Sequence, residues 1–387
     1  MKITCKQQDL AKGLSTVSHA VSTRSTLPIL SNILIVTDGD RIRLSATNLE
    51  IGITCSVPAR VETEGTTTVP ARLLLDLVNS LPQDLVEMAL QPGGHTLRVS
   101  GGRTSANIRG MDPTEFPAIP TAEGSEAPVK LEAGELREMI AQVAFAAATD
   151  DTRPVFTGVL AQVGDDRLTF AAADSFRLAV RNAALPGSGG GGVATAVGDV
   201  LVPARTLTEL ARVLPTEGVV EMFVTPNRNQ VLFHAEDVDL VSNLLAGQFP
   251  NYRAILPKTH STRAVVNTVE FRAATKRAML FARDSANIMR LKVEAGEPGG
   301  LTPGSVTLSA TAEEVGDATD SLAAAVDGPG LEVIFNVKYL ADVLAVIETA
   351  DVALELNGPQ APGVVKPSGQ EAGEEYTYVV MPMHNTR

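Results

Sequence analysis

VPARLLLDLVNSL at residues 69–81 returns as VPARTLTELARVL at 202–214 and as FNVKYLADVLAVI at 335–347. The step is 133 residues both times. It carries a cation from Arg72 to Arg205 to Lys338 and an acid from Asp76 to Glu209 to Asp342. Leu74, Leu77, Val78 and Leu81 become Leu207, Leu210, Ala211 and Leu214, then Leu340, Val343, Leu344 and Ile347. Spacing at i, i+3, i+4 and i+7 puts each set on one helical face, so each copy predicts an amphipathic helix. Amphipathic helices can resemble one another by chance. The flanking sequence repeats as well, which argues against chance here.

Downstream, EFPAIP at 115–120 matches the start of QFPNYRAILP at 248–257, with Phe116 and Phe249 again 133 residues apart. Upstream, LPILSNILIVTDGDRIRLSATN at 27–48 matches RPVFTGVLAQVGDDRLTFAAAD at 153–174. Both alternate toward a GD turn, as a β-hairpin does. The third copy, residues 288–313, has a longer turn in that place. Each unit also opens on a second helical pattern, near residues 6–21, 132–147 and 268–283; Leu136, Met139, Ile140 and Val143 show the spacing. One unit is therefore a helix, several strands, a second helix and more strands. The fold class expected is α+β: three similar domains, each with two helices and antiparallel sheets. Polar joints near 121–130 and 257–264 suggest domains over 1–124, 125–260 and 261–387.

Bulk properties agree with a multidomain globular chain. At 387 residues it is too long for one core. Its opening lacks the apolar block of a secretory signal, and no run approaches the ~18 apolar residues of a membrane span. Cys5 and Cys55 are the only cysteines, which suits a reducing compartment better than a disulfide scaffold. A cytoplasmic protein without membrane partners is expected. The net charge of −13 argues against a uniformly basic nucleic-acid binder, but a total is not a map, and cations can still gather on one surface.

LPILSN at 27–32, TVPAR at 68–72, FPNYR at 249–253 and the terminal YVVMPM at 378–383 come in an order and spacing similar to the bacterial replicative sliding clamps, the beta subunit of DNA polymerase III. The resemblance spans essentially the whole chain. It implies two chains closing head to tail into a ring, helices inside and strands outside. It also implies loading by a clamp loader, tethering of the replicative polymerase, and a groove for partner peptides. Packing geometry is compatible with such a ring. Helices ~8–10 Å apart leave a hole of about 5–8 Å if six line it and roughly 25 Å if twelve do. Duplex DNA is ~20 Å across. One chain cannot encircle it; a homodimer can.

Candidate phosphate-facing residues are the recurrent Arg72, Arg205 and Lys338, together with Arg272, Lys276 and Arg283, which share a helical face. Arg137 and Arg212 join them, and Arg24 matches a family loop position that touches DNA. Such contacts would read phosphates, not sequence. A solvated helix face balanced by Asp76 and Glu209 is the plainer account of any one of these residues; recurrence favours DNA.

The resemblance places the peptide groove at Phe156, Ala173, Ser175, Phe176, Arg177 and Leu178. Pro250, Ile255, Asn336, Tyr339 and Pro362 follow, and Val379, Met381, Pro382 and Met383 complete it. Methionines there could repack around different peptides, or could simply fill the core of a terminal strand. Two departures bear on specificity: the family often has Gly and His where this chain has Ser175 and Phe176, and a basic residue at Ala254. For ring closure the resemblance implies Ala106 and Ile108 against Leu280 and Phe281 of the second copy. Phe281 could equally be core.

Little here suggests catalysis. Gly187, Gly189 and Gly192 fit G-x-G-x-x-G, yet follow no clear strand and open no helix, as a dinucleotide site requires. There is no phosphate-binding P-loop signature, no metal-ligand spacing among the five histidines and no nucleophile elbow. No cofactor or metal is expected. An NAD-type oxidoreductase using the Gly-rich stretch 187–192 and a repeat-built structural protein are the readings that compete with a sliding clamp.

Overall fold

A computed structural model describes residues 1–22, 27–121, 128–164, 166–185, 198–297, 303–370 and 375–383. Arg24, Gly187, Gly189 and Gly192 lie outside the described residues. Two compact units are present, one formed by Met1–Leu136 with Thr206–Leu244 and the other by Arg137–Arg205 with Leu245–Arg387. Among the described residues there are six α-helices: α1 Gln7–Ser18, α2 Ala71–Ser80, α3 Ala133–Val143, α4 Ala204–Val213, α5 Thr268–Ala282 and α6 Val337–Val346. All six lie where the sequence periodicity expects them.

In the first unit, a five-stranded sheet runs Arg60–Thr63, Lys2–Lys6, Leu85–Leu90, Thr96–Gly101, Thr104–Arg109. An eight-stranded sheet runs Val129–Glu132, Val219–Val224, Gln230–Ala235, Val238–Asn243, Ile51–Pro58, Arg41–Thr47, Asn32–Asp38, Thr66–Pro70. Neighbours pair antiparallel throughout. The GD hairpin is formed as expected, with Gly39 at φ +60°, a value glycine takes without steric cost. Helices α1 and α2 pack on each other, burying Leu10, Leu14 and Val17 of α1 and Leu74 and Val78 of α2. The buried Gln7 side chain donates 2.8 Å to the Val78 carbonyl, which also accepts the Leu81 amide at 3.2 Å, so the end of α2 is tied to the start of α1.

The second unit is organised by a twelve-stranded antiparallel sheet. Its order is Asp199–Pro203, Gly158–Val163, Arg167–Ala173, Arg177–Ala184, Tyr376–Val380, Gly363–Pro367, Asp351–Leu356, Thr262–Asn267, Gly316–Asp327, Gly304–Ala312, Ile288–Glu294, Leu331–Asn336. Helices α5 and α6 pack together; α5 buries Phe271, Ala274 and Ala278, and α6 buries Leu340, Val343 and Leu344. Asn side chains cap both helices, Asn267 accepting from the Glu270 amide and Asn336 from the Lys338 amide.

Candidate functional site

The proposed groove residues of the second unit converge on one strained turn. Asp174 accepts hydrogen bonds from the Phe176 amide at 2.9 Å and the Arg177 amide at 3.2 Å, folding the chain so that Ser175 sits at φ +102°. That region is costly for any residue with a Cβ. The turn pushes Phe176 outward, 58% exposed, where it stacks on Tyr339 at 6.4 Å and 20°. The Phe176 carbonyl accepts from the Met381 amide at 2.8 Å. Leu178 lies opposite Val379 in the sheet, and the two join Ala173, Leu160, Val364 and Tyr252 in an apolar cluster against which Phe156, Phe249 and Leu256 pack. Phe156 and Phe249 meet edge to face at 6.2 Å.

Arg177 holds this site together. Its side chain is 9% exposed and donates to Asp174 at 2.9 Å, to Asp342 at 2.6 Å and to the Phe145 carbonyl at 2.7 Å. Its guanidinium lies 4.7 Å above the Tyr339 ring and 5.4 Å from that of Phe145. Burial opposes the charge, but the carboxylates of Asp342 and Asp174 outweigh it and hold the guanidinium above its usual range. Burial also pushes the Tyr378 phenol up, so it stays a donor, giving its proton to the Tyr339 carbonyl at 3.0 Å. The site is thus a fixed cation under an aromatic pair, beside an apolar wall.

Other expected members lie at its margins. Pro250 and Ile255 are exposed on either side of buried Tyr252, and Asn336 is spent on capping α6. Pro362 precedes Gly363, which pairs with Val380. Pro382 and Met383 are half-buried, the Met383 amide donating to the Ile334 carbonyl at 2.8 Å. Sequence reasoning missed Arg153, whose guanidinium lies 4.8 Å over Phe156 and donates to Ser175 Oγ. It also missed Asp174 as the residue that builds the turn. The signal was present: Asn48 holds the matching place in the first repeat.

The recurrent cations are open to solvent. Arg72 is 95% exposed and only loosely paired with Asp76 at 3.7 Å, and Arg205 and Lys338 are exposed. Each sits in the first turn of its helix, where the macrodipole disfavours positive charge, so helix stability does not account for them. Lys276 and Arg283 are exposed and Arg137 half-buried. Arg212 pairs with Glu209 at 2.8 Å, and Glu209 also meets His19 at 2.9 Å. Arg272 is half-buried and differs from the others. Its guanidinium donates to the Leu344 carbonyl at 2.7 Å and the Ile347 carbonyl at 2.6 Å, closing the end of α6. Two of its five N–H donors are therefore engaged inside the protein.

At the expected closure surface, Leu280 is exposed and Phe281 half-buried on α5. Ala106 and Ile108 lie on Thr104–Arg109, an edge of the five-stranded sheet. Ile108 is 3% exposed, so it belongs to the core of its own unit, while Thr104, Ser105, Asn107 and Arg109 of the same strand are exposed. Among the described residues no cluster of three or more His, Cys, Asp or Glu could hold a metal ion, and no helix is long and apolar enough to cross a membrane.

Comparison with known proteins gives consistent matches along the chain. Residues 1–120, 130–251 and 253–384 match the N-terminal, central and C-terminal domains of the DNA polymerase III beta subunit. A beta sliding clamp from Synechocystis sp. is 34% identical, with 99% of each chain covered. One from Bacillus subtilis is 31% identical over 96% of this chain and 97% of the relative. The crystal structure of the Bacillus subtilis DNA polymerase sliding clamp superposes with a TM-score of 0.89 at 29% identity, covering 99% of both chains.

Proposed function

The chain belongs to the DNA polymerase III beta subunit family, and we propose on that premise that two copies close head to tail around duplex DNA and tether the replicative polymerase without catalysing a reaction. It has the sliding-clamp fold of antiparallel sheets and helices. The three-domain division at 1–124, 125–260 and 261–387 is part of the proposal, as are the partners: a clamp loader and proteins that present peptides to the groove at Phe176, Arg177 and Met381.

The observation that carries the reading is a strand register used twice and left open once. In the first unit, Val238–Asn243 lies antiparallel on Ile51–Pro58 with Ser242 opposite Ile51. In the second, Tyr376–Val380 lies antiparallel on Arg177–Ala184 with Val380 opposite Arg177, the residue that matches Ile51 in the repeat. Among the described residues, the third counterparts have no such mate within their units. Thr104–Arg109 pairs only with Thr96–Gly101, and the first part of Gly316–Asp327 pairs only with Gly304–Ala312. The same register, applied between two copies, sets Ala318 opposite Ala106 and Gly316 opposite Ile108. Closure would cover both edges, and two equivalent junctions would complete a ring.

Phosphate contact is assigned to Arg72, Arg205, Lys338, Lys276 and Arg283, with Arg137 and Arg212 contributing charge. The test is topological. The protein, once loaded on closed circular duplex, should stay bound through a high-salt wash and slide off when the circle is cut. Equal loss from circular and linear DNA would overturn the proposal, as would a native mass equal to the 40.6 kDa monomer.

A further inference from the structure

We infer that the first unit carries a second peptide-binding groove, the repeat counterpart of the one at Phe176 and Met381, and that it accepts a short basic-apolar peptide. The inference rests on the peptide reading of the second unit. Its own grounds are a turn, a backbone tie and a cavity that reproduce that site without its ionic centre.

The turn is copied atom for atom. Asn48 accepts from the Glu50 amide at 2.9 Å and the Ile51 amide at 2.8 Å, as Asp174 does from Phe176 and Arg177. Leu49 takes φ +74° where Ser175 takes +102°. A bulky residue held there is strained, and it is also 52% exposed, so neither backbone preference nor core packing explains it. The Asn243 amide donates to the Glu50 carbonyl at 3.1 Å, matching the bond from Met381 to Phe176, and the Asn243 side chain donates to the Leu49 carbonyl at 3.1 Å.

Open space lies on both sides of the strap Pro117–Pro120. A cavity of about 410 Å³ is floored by Leu34, Val36, Thr54 and Leu232, and a smaller one of about 110 Å³ lies beside Leu49, Glu50 and Ile51; both are lined by Ile119 and Val241. The larger is within the range of small-ligand sites. Its origin is legible in the repeat. Tyr252 fills the matching place in the second unit, where its hydroxyl reaches Gln162 at 2.8 Å; here the residue is Ile119, opposite Val36 in place of Gln162. The chemistry differs as well. Ile51 replaces Arg177, and the lining carries three carboxylates, Asp38, Glu50 and Asp239, against one guanidinium, Arg43; Asp38 pairs with Arg43 at 2.6 Å and Asp239 meets the His234 ring at 2.7 Å. Apolar walls with an acidic rim fit a peptide presenting an aliphatic or aromatic side chain next to lysine or arginine.

The test uses the full chain with labelled Ile, Leu, Val and Met methyl groups, titrated with the acetylated, amidated pentapeptide Lys-Leu-Phe-Leu-Lys and with its Glu-for-Lys analogue. Saturable shifts of Leu49, Ile119 and Val241 are expected, weakened at least about tenfold for the acidic analogue. Ile119→Tyr, which installs the side chain of the other repeat, should weaken the Leu49 response by a similar factor and leave the Met381 response unchanged. Glu50→Lys, on the surface, should do the same without filling the cavity. A response at Met381 alone would overturn this groove while leaving the second-unit site intact. Silence at both would count against the peptide reading altogether. Shifts at Leu49 and Ile119 with hexanediol but not with the peptide would reassign the cavity to small apolar ligands and overturn the inference.

Discussion

Replacing Arg177 with methionine should destabilise the second unit and disable its groove together. The guanidinium makes three charge-assisted contacts, to Asp174, Asp342 and the Phe145 carbonyl, between 2.6 and 2.9 Å. Methionine fills much of the volume but leaves two carboxylates without their shared cation. Removing one partner of a buried pair costs ~3–5 kcal/mol. Because Asp342 is 31% exposed and can recover some hydration, the lower end applies, about 3 kcal/mol. At ~2–4 °C per kcal/mol for a domain of this class, the unit's transition should fall by about 6–12 °C. Differential scanning calorimetry reads this directly, and urea titration should show a lower midpoint with an unchanged slope. Arg177→Lys should recover part of the loss, since an ammonium can reach one carboxylate but cannot span all three acceptors. Peptide affinity should fall at least about tenfold in Arg177→Met, because Tyr339 and Phe176 lose the cation that positions them. A methionine variant that melts within about 1 °C of the parent and binds peptide normally would refute the reasoning.

Charged substitutions at both Leu280 and Phe281 should shift the particle from dimer to monomer in sedimentation while the far-ultraviolet circular dichroism is retained. Reversing Arg72, Arg205 and Lys338 to Glu should weaken retention on DNA at low salt, flatten its salt dependence and leave sequence preference unaltered, as filter binding across salt concentrations can check. Deleting 381–387 should abolish binding at the Phe176 groove while the dimer persists, read by peptide titration against the sized protein. Burial pushes the Cys5 thiol up to about 12 and that of Cys55 up to about 11, from an ordinary 9.0. A raised folded-state value stabilises fully below the unfolded value, so this contribution should persist below about 9 and fade as pH climbs toward 11 to 12. Thiol reagents at pH 8 should label neither cysteine until the protein is unfolded.

Much of this molecule was legible before any coordinates. Leu340, Val343, Leu344 and Ile347 repeat the pattern of Leu74, Leu77, Val78 and Leu81, and their helices lie where that pattern puts them. The hairpin around Gly39 follows from alternation and a glycine at the turn. These features are set by residues close in sequence. The bonds of Arg272 were not legible, for the opposite reason. It shares a helical face with Lys276 and Arg283, but its acceptors, the Leu344 and Ile347 carbonyls, belong to a distant helix. The burial of Ile108, 3% exposed, likewise depends on packing that alternation does not specify.

The sequence by itself determined the threefold repeat, the helix and strand content and the family, because periodicities of 3.6 and 2 and a constant repeat spacing are local properties of the chain. Tertiary structure alone decided which strand edges lack a mate among the described residues, that Arg272 bonds the end of α6, and that Asn48 and Asp174 build the same strained turn above unlike floors. Those facts depend on hydrogen bonds and packing between residues far apart in the sequence, such as Arg177 with Asp342 and Asn243 with Leu49, which no periodicity encodes.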